Sequence, residues 1–344
     1  MRAIDWLKTP LWAAGIAGGT KSFLKNPLIG DPELNARGLH RNRISLAWRA
    51  AERRRAILAP RVDPDLKAAF DRDGFVILEN VLPDAVFRRM VATLRSRPLP
   101  AHEMRQGQTV TRMTPVGPRV LADLPGAAAV IDDRRIRAVA QYAASTGGFP
   151  AWFLQTVIAE PNRHDPDPQT DLHADTFHPT AKLWLFLQDV GEDDGPFMYV
   201  PGSHRLTPER LEWEYRMSLT ARDDPRSHHA HGSFRVRPDE LAAMRLPPPR
   251  KVVVKANTLV VADTFGFHAR TPSDRPTLRM ELHGHLRQNP FSPWAGPGFT
   301  SLPGIARRQV DIFLGYRALK RRWLKHGGVW KDVGTVLVDS PPHV

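Results

Sequence analysis

The spacing of apolar residues divides the chain into helical ends and a strand-rich middle. Residues 41–58 place Ile44, Trp48 and Ala51 on one face among arginines, which predicts a helix that Pro60 ends. Asp63-Pro64 opens a short helix through Phe70. A compact strand–helix pattern follows: Gly74-Phe75-Val76-Ile77-Leu78 as the strand, then Leu82-Pro83-Asp84 and a helix over about 85–95. From about residue 105 the apolar runs become short and are separated by Pro and Gly. The predicted strands are 107–113, 151–159, 181–188, 196–200, 234–237, 251–254, 258–262 and 277–286. Many short strands with turn punctuation predict a mainly β fold with flanking helices, either sandwich or barrel. A long excursion over 205–250, rich in Pro and His, reads as a lid or substrate insert. The last helix, 310–326, carries Ile312, Tyr316, Leu319 and Trp323 as a stripe, with Arg317, Lys320, Arg321, Arg322 and Lys325 around it.

The 344 residues include no cysteine, which excludes disulfides, thiolate nucleophiles and Cys-ligated zinc or iron–sulfur clusters. Any metal must be held by His, Asp or Glu. The net charge of +13 is unevenly distributed: residues 1–60 carry +7, residues 301–344 carry +5, and the middle of the chain carries +1. Basic ends suit an anionic surface. The uncharged stretch from Thr9 to Thr20 is too short to span a bilayer, and Asp5, Lys8 and Pro10 interrupt any signal peptide. Trp6, Leu7, Leu11, Trp12, Ile16, Phe23 and Leu24 alternate with lysines, as in an interfacial segment or an arm packed on the body. The expected organisation is a basic helical arm over 1–60, a central domain over 61–300, and a basic amphipathic helix and tail over 301–344. The expected location is cytoplasmic, peripheral at the inner face of the membrane.

The central segment contains a candidate metal site. His173-Ala174-Asp175 is a His-x-Asp pair, and on extended backbone residues i and i+2 leave the same face. With 14 histidines, about one such pair is expected by chance, so a third element is needed. His268 provides it, just after the apolar run Thr258–Val261. Two imidazoles and one carboxylate with open positions are the facial triad of non-haem Fe(II) oxygenases. Arg279 lies in Leu278-Arg279-Met280-Glu281-Leu282, on the face opposite the leucines, and its guanidinium fork suits the distal carboxylate of 2-oxoglutarate. Its alternative partner is Glu281. On the strand Lys182–Leu187, Lys182, Trp184 and Phe186 alternate with leucines and face the same side. Lys182 is a second candidate for the cosubstrate, Trp184 and Phe186 for substrate. Of Gln155 and Thr156, which lie on opposite faces, only one reaches the site. His283 and His285 read as pocket lining or structural, and Ser227-His228-His229-Ala230-His231 as a mobile loop.

Four stretches resemble the phytanoyl-CoA dioxygenase-like Fe(II)/2-oxoglutarate hydroxylases. They are Asp73–Leu78 with Val81-Leu82-Pro83, His173-Ala174-Asp175, Asp194-Gly195-Pro196 through Val200-Pro201-Gly202-Ser203-His204-Arg205, and His268 through Arg279. The resemblance covers roughly 65–290. It implies a double-stranded β-helix, that is, a cupin-like jelly roll, with iron on His173, Asp175 and His268, 2-oxoglutarate on Arg279, and O2 as oxidant. Two positions depart from the family pattern: Ala174 stands where Gln is frequent, and Arg270 where a small hydroxyl residue is frequent. His204 and Arg270 are further substrate candidates. The expected function is hydroxylation of a C–H bond in an anionic, membrane-presented or lipid-linked substrate, with the Kdo sugar of a lipopolysaccharide precursor as the specific candidate. A phytanoyl-CoA-like acyl thioester or other small metabolite is the alternative substrate. A catalytically lapsed jelly roll that binds at a membrane is the alternative of another class. Nucleic-acid binding is not expected, because the basic residues share helices with Trp and Leu stripes. The sequence does not define the oligomeric state.

Overall fold

The computed structural model describes residues 3–161, 165–226, 228–302, 304–324 and 329–344. Among the described residues the strands are β1 (Phe75–Leu78), β2 (Leu99–Gln106), β3 (Thr109–Pro115), β4 (Ala151–Ala159), β5 (Ala181–Phe186), β6 (Phe197–Tyr199), β7 (Arg250–Val252), β8 (Thr258–Asp263), β9 (His268–Arg270), β10 (Thr277–Leu286) and β11 (Lys331–Val336). Eight form one sheet in the order β1-β8-β5-β10-β4-β3-β2-β11, and β7-β6-β9 form a second. Every named pairing is antiparallel. Single bridges from His173 to His268 and to Arg235 widen the small sheet by two extended segments. The result is the two-sheet, mainly β jelly roll with flanking helices.

Alternation along the strands builds the layers. Leu183, Leu185, Leu259 and Val261 are fully buried against the helices Pro64–Asp73, Asp84–Ser96 and Arg134–Ala143. Burying each such side chain stabilises by about 1.5–3 kcal/mol. The intervening residues Trp184, Phe186 and Val260 point the other way and pack with Phe197 and Tyr199 of the small sheet. Local signals set the ends of elements. The Asp63 carboxylate accepts from the N–H groups of Asp65 and Leu66, and Gly74 ends that helix at φ 85°.

Several expectations need correction. The predicted strand 107–113 straddles a hairpin: Gly107 (φ 56°) joins β2 to β3. Of the two readings of the N-terminal arm, residues from Phe23 onward follow the packed one. Phe23, Ile29, Ile44 and Ala47 are buried, and Arg54 and Arg55 of the helix Leu39–Leu58 bond to carbonyl groups at 142–145. At the other end, β11 closes the edge of the large sheet, and Arg112 donates to carbonyls of Leu337, Val338, Ser340 and Pro341. The tail is therefore not a separate unit.

The 205–250 excursion contains a helix packed on the body. Its helix Pro208–Thr220 buries Trp213, and Arg210 and His40 both contact the buried Glu214. His229, expected in a mobile loop, is fully buried and accepts from the Arg235 N–H at 2.6 Å. The final helix runs over Gln309–Leu324 with Ile312, Tyr316 and Leu319 exposed. The side chains of Trp6, Trp323 and Lys325 lie outside the described residues. No helix among the described residues is long and apolar enough to cross a membrane.

Candidate active site

His173 and His268 form the bridge between two extended segments, each backbone N–H donating to the other's carbonyl at 2.9 Å. Their rings stand 4.5 Å apart, centre to centre. Asp175 follows on the same segment, its N–H held by the Thr264 carbonyl at 2.9 Å. Each imidazole donates from Nδ1 to a backbone carbonyl, His173 to Asp171 at 2.7 Å and His268 to Gly266 at 2.9 Å. That fixes the tautomer in which Nε2 carries the lone pair. Both Nε2 atoms lie 3.7 Å from Asp175 Oδ1. The three donors fall within 4.8 Å of one another.

His268 Nε2 is buried and has no hydrogen-bond partner. Burial lowers His268 to about 4 and takes His173 well below its ordinary value, so both are neutral at pH 7. For Asp175, burial alone would raise the pKa. Lys182, followed by the two imidazoles, outweighs it and holds the carboxylate well below the usual range. A neutral pair of imidazoles, one ionised carboxylate and an orphaned nitrogen fit a first-row divalent metal. Lys182 Nζ donates to Asp175 Oδ2 at 2.7 Å, which leaves Oδ1 for the metal.

Behind the triad lies a cavity of about 280 Å³ between the two sheets. Gln155, Lys182, Trp184, Phe186, Arg270 and Arg279 all line it, as the alternation along β4, β5, β9 and β10 requires. Arg279 has a protein partner: Nε donates to Glu281 Oε1 at 2.5 Å, and Nη1 donates to the Gly195 carbonyl. Nη2 makes no hydrogen bond among the described residues. Arg270 Nη1 donates to Asp167 Oδ2 at 2.6 Å.

Two candidates fall elsewhere. Thr156 pairs with Met280 on the opposite face of the large sheet and donates to the Val338 carbonyl at 2.8 Å. His204 is buried behind the small sheet, edge-on to Phe70 at 5.3 Å, where the turn after β6 packs on the helix before β1. Neither lines the cavity. His283 and His285 do line it, with their Nε2 atoms 2.7 Å apart.

On the other side of Asp175 and Lys182 opens a second, wider cleft of about 760 Å³. Its wall includes Thr20 and Lys21 from the N-terminal segment, and Lys21 donates to the Asp175 carbonyl. Sequence reasoning missed Lys21 because it sits in a segment without strand or helix periodicity. It also missed Trp330, which lines the inner cavity just before β11. The β-type alternation of 329–338 was the available signal. No described residue of 205–250 lines either space, although Arg235 bridges His173.

The phytanoyl-CoA dioxygenase (PhyH) family model matches residues 70–238. No curated protein sequence matches the chain. Similar solved structures include the non-haem α-ketoglutarate-dependent epimerase SnoN from nogalamycin biosynthesis, at 17% identity and TM-score 0.40 over 68% of this chain and 83% of that one. HygX from Streptomyces hygroscopicus, crystallised with nickel and 2-oxoglutarate, is 16% identical, with TM-score 0.38 over 65% of this chain and 87% of that one. With the matched segment and the His173–Asp175–His268 donor set together, the chain carries a domain of the phytanoyl-CoA dioxygenase family and is a non-haem iron, 2-oxoglutarate-dependent dioxygenase.

Proposed function

We propose that the enzyme hydroxylates a C–H bond of an anionic substrate at a membrane surface, with the Kdo sugar of a lipopolysaccharide precursor as the specific candidate. The observation that carries the reaction class is the triad itself, two tautomer-fixed imidazoles and one carboxylate converging on a single point. Fe(II) would be held by His173 Nε2, Asp175 Oδ1 and His268 Nε2, and when bound it supplies the oxidising chemistry with 2-oxoglutarate and O2. The overall reaction turns R–H, 2-oxoglutarate and O2 into R–OH, succinate and CO2. One oxygen atom enters the substrate and the other enters succinate.

The chain's own residues position these reactants. Lys182 holds one Asp175 oxygen and so orients the other. Trp184, Phe186 and Phe197 form an apolar wall of the inner cavity, which is of a size for 2-oxoglutarate. The free edge of Arg279 and the neighbouring Arg270 are the cations available there to a distal carboxylate. Membrane presentation is supported by the basic ends and by the exposed Ile312, Tyr316 and Leu319 beside basic positions in the final helix.

The test is succinate release by the Fe(II)-loaded full chain, with a Kdo-bearing lipid precursor set against an acyl-CoA thioester. Stimulation by the precursor that Asp175→Ala abolishes is the expected result. Stimulation by the thioester alone overturns the substrate, and full activity in Asp175→Ala overturns the iron site.

A further inference from the structure

We propose that the outer cleft is an oxyanion-recognising substrate site whose charge is supplied by Lys21 and Arg287, and that its ligand is a polyhydroxylated molecule bearing a carboxylate or phosphate. This deepens the reading above, since it names the substrate chemistry of the same centre. The cleft shares Asp175, Lys182 and His285 with the inner cavity, so a molecule seated there lies beside the carboxylate of the metal position.

Its wall holds the three cations Lys21, Lys182 and Arg287 and one carboxylate, Asp175. That carboxylate is already engaged, through Oδ2 by Lys182 and through Oδ1 by the metal position. Neither Lys21 nor Arg287 forms an ion pair among the described residues; Lys21 lies near Asp175, which attracts it, and near Lys182 and Arg287, which repel it. An unbalanced cluster of this kind at a half-enclosed site attracts an anion. Arg287 extends the i, i+2 row of His283 and His285 just past the end of β10, which carries its guanidinium to the cleft. The rest of the lining includes the hydroxyl groups of Thr20 and Thr176, the latter buried without a partner among the described residues, which suit a hydroxylated ligand, while the amides of Gln288 and Asn289 are bonded within the protein.

Lys21 is held in place. Arg43 donates to the carbonyls of Thr20 at 2.7 Å and Gly18 at 3.1 Å. Phe23 is buried, and the Leu24 N–H donates to the Ala230 carbonyl at 2.9 Å. A preorganised cation loses little freedom when it binds its ligand. Both Lys21 and Arg287 lie outside the 70–238 family match.

The experiment is calorimetric titration of the full chain, loaded with Mn(II) and saturated with 2-oxoglutarate, using inorganic phosphate, D-gluconate and uncharged D-glucose as probes. An oxyanion should bind and glucose should not. Arg287→Ala and Lys21→Met, the latter keeping an apolar stem, should each weaken oxyanion binding at least tenfold. Lys255→Ala, an exposed pair with Asp189, should leave it unchanged. Preference for phosphate or for gluconate distinguishes a phosphoryl group from a carboxylate, and either supports the proposal. Absence of oxyanion binding, undiminished binding in both variants, or competition by 2-oxoglutarate overturns it. Mn(II) and 2-oxoglutarate binding are measured first, so failure of the iron-site reading shows itself separately. In that case the same titrations on the metal-free chain still decide the cleft.

Discussion

Replacing Arg55 with Met should destabilise the protein in a pH-dependent way. Arg55 Nη2 sits 2.7 Å from Asp263 Oδ2, with side-chain exposures of 6% and 0%. The guanidinium also donates to the Tyr142 and Ala143 carbonyls. Methionine keeps much of the apolar volume but leaves Asp263 buried without its cation. Removing one partner of a buried pair costs about 3–5 kcal/mol. Two backbone donors remain on Asp263 Oδ1, from Thr180 at 3.2 Å and Phe265 at 3.0 Å, and they soften the loss without neutralising the charge. At the shallow slope of a long chain, ~2 °C per kcal/mol, this lowers Tm by roughly 6–10 °C. Burial already raises the Asp263 pKa, with Arg55 opposing it, so the variant raises it further. A carboxyl group whose folded pKa is raised contributes its full stability below its unfolded value, near ~3.9, and loses it as pH climbs through the folded value. The deficit relative to the parent should therefore be larger at pH 8 than at pH 5.5. Thermal melts of both proteins at the two pH values measure it, and Asp263→Asn in the Arg55→Met background should recover most of the loss. A deficit below about 1 kcal/mol, or one equal at both pH values, refutes the reasoning.

Arg279→Ala should raise the apparent 2-oxoglutarate requirement at least tenfold while metal binding persists; an unchanged requirement would move the anchor to Arg270. Gly74→Ala should cost at least ~1–2 kcal/mol, because φ is +85° there and a Cβ would meet His204 Nδ1 at 2.5 Å and the Tyr199 hydroxyl at 2.7 Å; denaturant midpoints measure the loss. The chain should sediment with anionic vesicles and not with neutral ones, with high salt reducing the binding. Ile312→Ser with Leu319→Ser should weaken that binding while leaving 2-oxoglutarate-dependent turnover in solution in place.

The parts legible in the sequence were those with short-range periodicity. The strands that became β5 and β10 alternate Leu or Met with pocket residues, so their faces followed from period two, and Trp184 and Phe186 fell where alternation puts them. Thr156 could not be sided without a neighbouring strand, because both of its flanking positions are apolar or amide. Arg279 shows a different limit. A guanidinium can be assigned an anion by chemistry, but whether that anion is Glu281 or a cosubstrate depends on rotamers, and the structure places Glu281 on it. The arginines of the N-terminal arm looked like surface charge. Several are buried because they donate to the carbonyl groups of turns at 16–20 and 142–145, distant in sequence. Net charge counts for 1–60 therefore overstate what reaches solvent.

Those same non-local contacts give a physical account of Ala174, where relatives of the resembled family often carry Gln. Side chains alternate across the extended segment, so while His173 and Asp175 face the metal position, Ala174 must face away from it. In an uncovered jelly roll that outer face would be solvated and an amide would be at ease. Here it is covered by the N-terminal arm and the 205–250 excursion, and Ala174 is 3% exposed in a cluster with Phe23, Trp213, Phe234 and Phe267. A Gln at this position would bury an amide among apolar groups, at a cost of about 1–3 kcal/mol without a partner, and would also need volume that the packed rings do not leave. The small residue at 174 and this cover are thus one feature. The arm that contributes Phe23 to the back of the metal-binding strand also delivers Lys21 to its front.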